Sequence, residues 1–174
     1  MSYEAIGALI RRHIPLYELE LEKFFRLVLS NYIISNGDAH VKNFSAIHAE
    51  AGDYVFTPAY NLLCTRIHLP GESDMALELL KNRYTEDFQA NGFYTLADFK
   101  EFGRAIGIKR IRVTKIINEF TGKDESIDYL IDRSFLKGEV KADFKGLQLS
   151  IALIVPMAVS TTRLLGWCKR YLSE

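Results

Sequence analysis

Apolar residues recur at three- and four-residue steps through much of the chain, which is the spacing of helices that bury one face. The strongest such pattern runs from Leu16 to Ile34 and predicts a long amphipathic helix. A shorter helix is predicted before it, over Tyr3 to Arg12 with Ser2 as its cap. Pro15 stands where the second helix would begin, and Gly37 is predicted to stop it. The apolar positions of the long helix are Leu21, Phe24, Phe25, Val28, Leu29, Tyr32 and Ile33.

The pattern changes after this helix. Phe44 to Ile47 and Tyr54 to Phe56 are short, β-prone runs, and a turn containing Ala51-Gly52-Asp53 separates them. Runs of this length around a glycine-containing turn are typical of a β-hairpin. We therefore predict a hairpin directly after the second helix.

Helical spacing returns in the second half of the chain. Thr95 with Asp98 three residues later is typical of a capping box, and it predicts a helix that ends near Ile106. Further helices are predicted over Ile111 to Phe120, Ile127 to Leu136 and Leu147 to Leu172. No internal repeat or break in composition divides the sequence. We predict one domain over residues 1–174 that is mostly α, and α+β overall because of the hairpin.

Composition narrows the classes of function. Lys+Arg and Asp+Glu number 22 each, so no net charge attracts nucleic acid or an anionic membrane surface. The most apolar run, Leu149 to Val159, is shorter than the roughly 20 residues that a membrane-spanning helix needs. Cys64 and Cys168 lack the spacing of metal ligands, and we interpret them as free thiols. We expect a cytoplasmic protein that contacts neither nucleic acid nor membrane directly.

The residues that suggest chemistry lie between the long helix and the hairpin. Phosphoryl transfer needs a carboxylate near the attacking hydroxyl and oxygen ligands for Mg²⁺. Asp38 follows Gly37 in a loop, Asn43 comes five residues later, and the hairpin is predicted to return position 61 to the neighbourhood of position 43. Asn, Gly and Asp are also the commonest turn formers, so this spacing by itself equally fits a plain helix-ending turn. The loop reads Asn36-Gly37-Asp38-Ala39-His40-Val41-Lys42-Asn43.

With Phe44 and Ser45 after it, this loop resembles the catalytic loop of HipA-type serine/threonine kinases, the toxins of bacterial toxin–antitoxin pairs. Thr57-Pro58-Ala59-Tyr60 resembles the metal-binding segment of that family. The resemblance covers roughly residues 2 to 140. It implies the helical C-terminal lobe of a protein-kinase-like fold. It also implies that Asp38 is the catalytic base and that Asn43 holds a Mg²⁺ bridging the phosphates of ATP.

The resemblance implies further roles within the loop. His40 would lie beneath the loop and support the nucleotide site, although a lone histidine is more often purely structural. Lys42 would contact phosphate or the substrate hydroxyl, although a lysine that only faces solvent fits nearly as well.

Position 61 departs from the family pattern. The family has an aspartate there as its principal Mg²⁺ ligand, whereas this chain has Asn61. An asparagine keeps one ligand oxygen but lacks the charge, so we expect weaker metal–nucleotide binding and a lower rate. Either the position is engineered or varies in this sequence, or the protein is a natural pseudokinase.

The nucleotide-gripping lobe of a kinase is not visible in the sequence. Only 37 residues precede Asp38, and no glycine-rich strand-turn-strand occurs. We expect a C-terminal lobe that is inactive by itself and is completed by an N-terminal lobe, from the same gene or from a split partner. The resemblance also implies a HipB-like helix-turn-helix antitoxin and a protein substrate, which in this family can be an aminoacyl-tRNA synthetase.

Two other functions compete with this interpretation. A pseudokinase lobe that lost its activity at Asn61 would bind a partner without catalysis. A small-molecule phosphotransferase of the aminoglycoside-kinase type shares the Gly-Asp pair and the later Asn. Those enzymes typically have His before Gly-Asp, where this chain has Asn36.

Overall fold

A computed structural model describes residues 1–50, 52–120 and 125–154. Within them the chain is mostly helical with one small antiparallel hairpin, which confirms the predicted fold class. The last 18 residues of the predicted Leu147 to Leu172 helix lie outside the described part. The elements are α1 Tyr3–His13, α2 Tyr17–Ile33, a 3₁₀ turn Val41–Asn43, β1 Ala46–His48, β2 Tyr54–Phe56, α3 Glu86–Asn91, α4 Leu96–Ala105, α5 Arg110–Glu119, α6 Glu125–Arg133 and α7 Gly138–Ile154.

Helix α2 is the centre of the core. Its apolar positions are buried as the spacing predicts, and Phe24 and Phe25 are fully enclosed. The ring of Phe24 contacts Tyr3 of α1, Phe56 of β2 and Phe102 of α4. Burial of aromatic rings is a major favourable term in folding. These contacts therefore hold α1, the hairpin and α4 around α2.

Local capping agrees with the sequence at two helices. The hydroxyl of Ser2 accepts a hydrogen bond from the Ala5 N–H at the start of α1. Thr95 and Asp98 form the predicted capping box of α4, in which each side chain accepts from the other residue's backbone N–H. The short helix α3 is not predicted by the apolar pattern, since none of its residues is buried. Its signals are local, namely the Thr85 cap and Gly92 in the left-handed conformation.

The hairpin is anchored to α2 by a buried carboxylate. Its strands pair with Ala46 opposite Phe56 and His48 opposite Tyr54. Glu20 is only 4% exposed, and its carboxylate accepts the Phe56 N–H at 3.0 Å and the Lys23 ammonium at 2.8 Å. A buried carboxylate requires such partners, because desolvation of an unpaired charge is costly. The strand direction is thereby fixed relative to α2.

Helix α2 stops before the predicted position. It ends at Ile33, and the chain then turns through Ser35, whose φ is +53°. The prediction that Gly37 stops the helix is therefore wrong, because the left-handed turn falls two residues earlier on a serine. No helix in the described part of the chain is long and apolar enough to cross a membrane.

Two arginines and two glutamates join α2 to α5. The Arg112 guanidinium binds the Glu22 carboxylate through two hydrogen bonds of 2.6 Å, and Arg26 binds Glu119 at 2.8 and 3.0 Å. The hydrogen bonds from Arg112 hold the pKa of Glu22 below its ordinary value. Paired charges of this kind favour the folded state only while the carboxylate is ionised.

This pairing predicts an acid-sensitive contribution to stability. Because the pKa of Glu22 is lowered in the folded state, its contribution is present above the ordinary glutamate pKa and is lost as the pH falls through the lowered value. We expect Glu22→Gln to reduce the free energy of unfolding at pH 7 and to reduce it by less at pH 3. Urea titrations from pH 3 to pH 7 test this. Glu50→Gln, an exposed carboxylate in the hairpin turn, is the matched control. An equal loss at both pH values for Glu22→Gln would contradict it.

Candidate active site

The loop that follows α2, residues 36–43, is held mainly through the buried side chain of Asn36. Asn36 is 1% exposed. Its amide nitrogen donates to the Asn31 side-chain oxygen at 2.8 Å and to the Asn61 carbonyl at 2.9 Å. Its side-chain oxygen accepts the Asp38 N–H at 3.2 Å. A single carboxamide thus contacts α2, the loop and the segment after the hairpin.

Gly37 is needed for close packing and not for a left-handed turn. A Cβ atom at this position would lie 2.5 Å from Cδ of Glu72 and 2.6 Å from the carbonyl oxygen of Ser73. The Gly37 N–H donates to the Thr65 hydroxyl at 2.8 Å, and that hydroxyl donates to the Ser35 carbonyl at 3.2 Å. The segment from Thr65 to Ser73 therefore packs directly on the loop.

Asp38 combines a fixed backbone with an accessible side chain. Its carbonyl accepts the His40 N–H and the Asn43 side-chain amide, both at 2.7 Å. Its N–H is bound by Asn36. The carboxylate side chain is 43% exposed. The arrangement points a carboxylate from a rigid loop toward solvent, as a general base for an external hydroxyl requires.

His40 does not lie beneath the loop as predicted. Its side chain is 50% exposed, with Nε2 3.6 Å from an oxygen of Asp38. The group that supports the loop from below is the phenol of Tyr3, which donates to the Ala39 carbonyl at 3.0 Å while fully buried. Burial raises the pKa of Tyr3, so the phenol stays a neutral donor at physiological pH. Whether His40 contributes to a nucleotide site stays a prediction.

Asn43 and Lys42 lie in the 3₁₀ turn that leads into the hairpin. Asn43 is 9% exposed, and the bond from its nitrogen to Asp38 leaves its amide oxygen as the atom able to bind a metal ion. The Lys42 side chain is exposed, while its carbonyl accepts the Tyr60 hydroxyl at 2.9 Å. The same hydroxyl lies 2.9 Å from that of Ser45. The predicted role of Lys42 in phosphate or substrate contact is not tested by this geometry.

The hairpin returns the chain to the loop, where Asn61 contacts Asn36, while the proximity of position 61 to position 43 stays a prediction. Asn61 has a φ of +53°, and its carbonyl is the one bound by Asn36. Two contacts therefore join the two segments. Asn36 donates to the Asn61 carbonyl, and Tyr60 donates to the Lys42 carbonyl. Neither contact was foreseen from the sequence, because both involve backbone carbonyls that no residue pattern reveals.

The oxygen atoms of these residues are of the kind that binds Mg²⁺, but the residues together carry little negative charge. Asn43 and Asn61 offer amide oxygens, a kind of ligand that Mg²⁺ accepts, and the one carboxylate of the loop, Asp38, is the predicted base. Among the described residues, no group of three or more His, Cys, Asp or Glu side chains could hold a metal ion. A site of this composition depends on the phosphates of a bound nucleotide for its remaining negative charge.

Comparison with known proteins identifies the family. The family model described as the HipA-like C-terminal domain matches residues 1–126 of this chain. The match includes α1, α2, the loop, the hairpin and Asn61, and the chain belongs to this family.

Three curated relatives have names that describe kinases. A Haemophilus influenzae protein named "Putative kinase" is 28% identical over 145 residues, 78% of this chain and 42% of that protein. "Putative kinase Y4mE" of Sinorhizobium fredii is 29% identical over 110 residues, 63% of this chain and 26% of the relative. "Putative kinase Y4dM" of the same organism is 27% identical over 113 residues, which are 65% of this chain and 27% of the relative. The chain therefore spans less than half the length of each relative, and it is a kinase-like member of the family.

The close packing at Gly37 gives a test of the loop geometry. We expect Gly37→Ala to lower the free energy of unfolding by about 1–3 kcal/mol, because the added methyl group would force Ser73 and Glu72 away from the loop. Gly71→Ala is the matched control, since a Cβ there meets nothing within 4 Å. Chemical denaturation measures both variants. Equal stability of the two variants would show that the segment does not pack on Gly37.

Proposed function

We propose that this chain is the catalytic C-terminal lobe of an ATP-dependent serine/threonine protein kinase of the HipA type. The main support for the proposal is the geometry of Asp38. Its carboxylate is half-exposed, and its backbone N–H and carbonyl are both hydrogen-bonded. The family match and the kinase names of the relatives support the same class of reaction.

In this proposal each loop residue has a defined role. Asp38 orients the substrate hydroxyl and accepts its proton as the hydroxyl attacks the γ-phosphate. Asn43 and Asn61 offer their amide oxygens to Mg²⁺, which when bound neutralises charge on the phosphates of ATP. Lys42, exposed on the same loop, contacts phosphate or substrate, and His40 borders the nucleotide.

The proposal requires partners beyond the described residues. A kinase site needs an N-terminal lobe that covers the nucleotide phosphates, and we propose that such a lobe completes this one, from the same gene or from a split partner. We further propose a cytoplasmic toxin–antitoxin role. The partners in that role are a HipB-like helix-turn-helix antitoxin and a protein substrate, for which an aminoacyl-tRNA synthetase is the candidate. The isolated 174-residue chain is then inactive.

A second candidate function follows from Asn61. An amide in place of a charged ligand weakens the site for a metal–nucleotide complex, while the loop and its support stay intact. The protein would then act as a pseudokinase that binds a partner through this lobe. A small-molecule phosphotransferase is disfavoured, because Asn36 occupies the position where those enzymes have His.

Restoring the carboxylate separates the two candidates. The chain is joined to the N-terminal region of the Haemophilus influenzae relative, and Mg-ATP binding and phosphate transfer to protein are measured by calorimetry and radiolabelling. We expect Asn61→Asp to raise transfer at least about tenfold, because Mg²⁺ favours a carboxylate ligand over a neutral amide. Adding Asp38→Asn should lower transfer by roughly 10²–10⁴-fold with little change in nucleotide binding.

The control is Asp53→Asn, which removes an exposed carboxylate in the hairpin turn and should leave transfer unchanged. Absence of nucleotide binding even after Asn61→Asp would favour the pseudokinase. Full transfer by the Asp38→Asn protein would contradict the role of Asp38.

A further inference from the structure

The two halves of the candidate site meet at one side chain. The catalytic loop carries Asp38 and Asn43, and the segment after the hairpin carries Asn61. We propose that Asn36 is a positioning residue that fixes the direction of the side chain at position 61 relative to Asp38. The inference rests on the proposed function, because it concerns how that site holds its metal–nucleotide complex.

The first support is that Asn36 uses its hydrogen-bonding groups on specific partners. Both hydrogens of its amide nitrogen are engaged, at 2.8 Å with Asn31 and at 2.9 Å with the Asn61 carbonyl. Its oxygen accepts from Asp38 at 3.2 Å. Because the carboxamide is planar and 1% exposed, a change in any one of these directions leaves a buried polar group unsatisfied. Asp38 and residue 61 are therefore tied to the same rigid group.

The second support is the backbone conformation at position 61. Its φ of +53° is a left-handed conformation, which carries a smaller cost for asparagine than for most other residues except glycine. The hydrogen bond from Asn36 to the Asn61 carbonyl offsets that cost by holding the peptide in place. If the bond is lost, residue 61 is released toward extended or right-handed backbone, and its Cβ then points elsewhere. The direction of the side chain at position 61 relative to Asp38 would then change although the loop itself stays folded.

The third support is the anchor of the carboxamide itself. Asn31 lies on α2, is 4% exposed, and fixes the far side of the Asn36 amide. Helix α2 is largely buried, and the aromatic core packs around it. The position of residue 61 is therefore fixed by a contact with the rigid core as well as by the hairpin that precedes it.

The competing explanation is that Asn36 merely forms a turn and stabilises the loop. An asparagine that bonds a backbone N–H two residues later is a common turn former, and Asp38 receives such a bond. The two explanations differ in their prediction for residue 61. A pure turn former affects metal affinity equally whichever side chain stands at position 61, whereas a positioning residue is energetically coupled to that side chain.

A double-mutant cycle tests this on the chain joined to the N-terminal region of the Haemophilus influenzae relative, with ATP present. Mn²⁺ is the probe, since it prefers the same oxygen ligands as Mg²⁺ and broadens nearby amide resonances in NMR spectra. The variants are Asn61→Asp, Asn36→Ser and the double variant. Serine can still accept from the Asp38 N–H as a turn former, but it is too short to replace the bond to position 61. Asn36→Ala serves in place of Asn36→Ser if the latter does not fold.

Tyr32→Phe is the matched control. It removes another buried hydrogen bond from α2, from the Tyr32 hydroxyl to the Tyr94 carbonyl at 2.7 Å, and the side chain is likewise 1% exposed. The hydrogen bond that Tyr32 makes does not involve the loop, so the Tyr32→Phe variant shows how a general loss of stability affects Mn²⁺ affinity. Thermal unfolding and the backbone spectrum establish that each variant is folded before titration.

We expect Asn61→Asp to tighten Mn²⁺ binding at least about tenfold in the parent chain and less than about threefold when Asn36 is Ser. Tyr32→Phe should leave the tenfold gain intact. An undiminished gain in the Asn36→Ser chain overturns the inference and leaves the proposed function standing. Absence of Mn²⁺ binding near Asp38 in every variant overturns the proposed function, and the inference falls with it.

Discussion

The structure around the loop at residues 36–43 depends on the buried carboxamide of Asn36. Desolvation makes this group expensive unless its donors and acceptor find partners, and the three partners come from three different parts of the chain. Helix α2 supplies a rigid anchor because its apolar face is enclosed by the aromatic core. The geometry of Asp38 and of residue 61 is consequently set by folding and does not wait for a ligand.

The charge of the site is the other constraint. The loop keeps the base-like geometry of Asp38, while Asn61 supplies a neutral oxygen at the position where the family has an aspartate. Positioning and electrostatics are separable contributions to phosphoryl transfer, and the described geometry bears on the first of them. The two proposed functions differ on this point, since a kinase lobe needs both contributions and a partner-binding lobe needs no metal site.

Much of the fold could be predicted from the sequence, since burial follows helical spacing along α2 and capping follows Ser2, Thr95 and Asp98. The site residues Asp38 and Asn43 were visible as a motif, but their surroundings were not. Gly37 was read as a helix stop, whereas Ser35 makes the turn and Gly37 permits close packing. His40 was expected under the loop, where Tyr3 lies instead. The packing at Gly37 and the place of Tyr3 under the loop involve contacts between distant segments, which local patterns do not encode.

The most direct test of this account is the NMR signal of the Asn36 side-chain amide in the full chain. The account predicts two resolved Nδ2 protons that exchange slowly with water, one close to the Asn31 side chain and the other close to the backbone of Asn61 and Leu62. Rapidly exchanging, averaged protons without contacts to the segment around residue 61 would contradict it. In that case the loop and residue 61 would be independent parts of the structure.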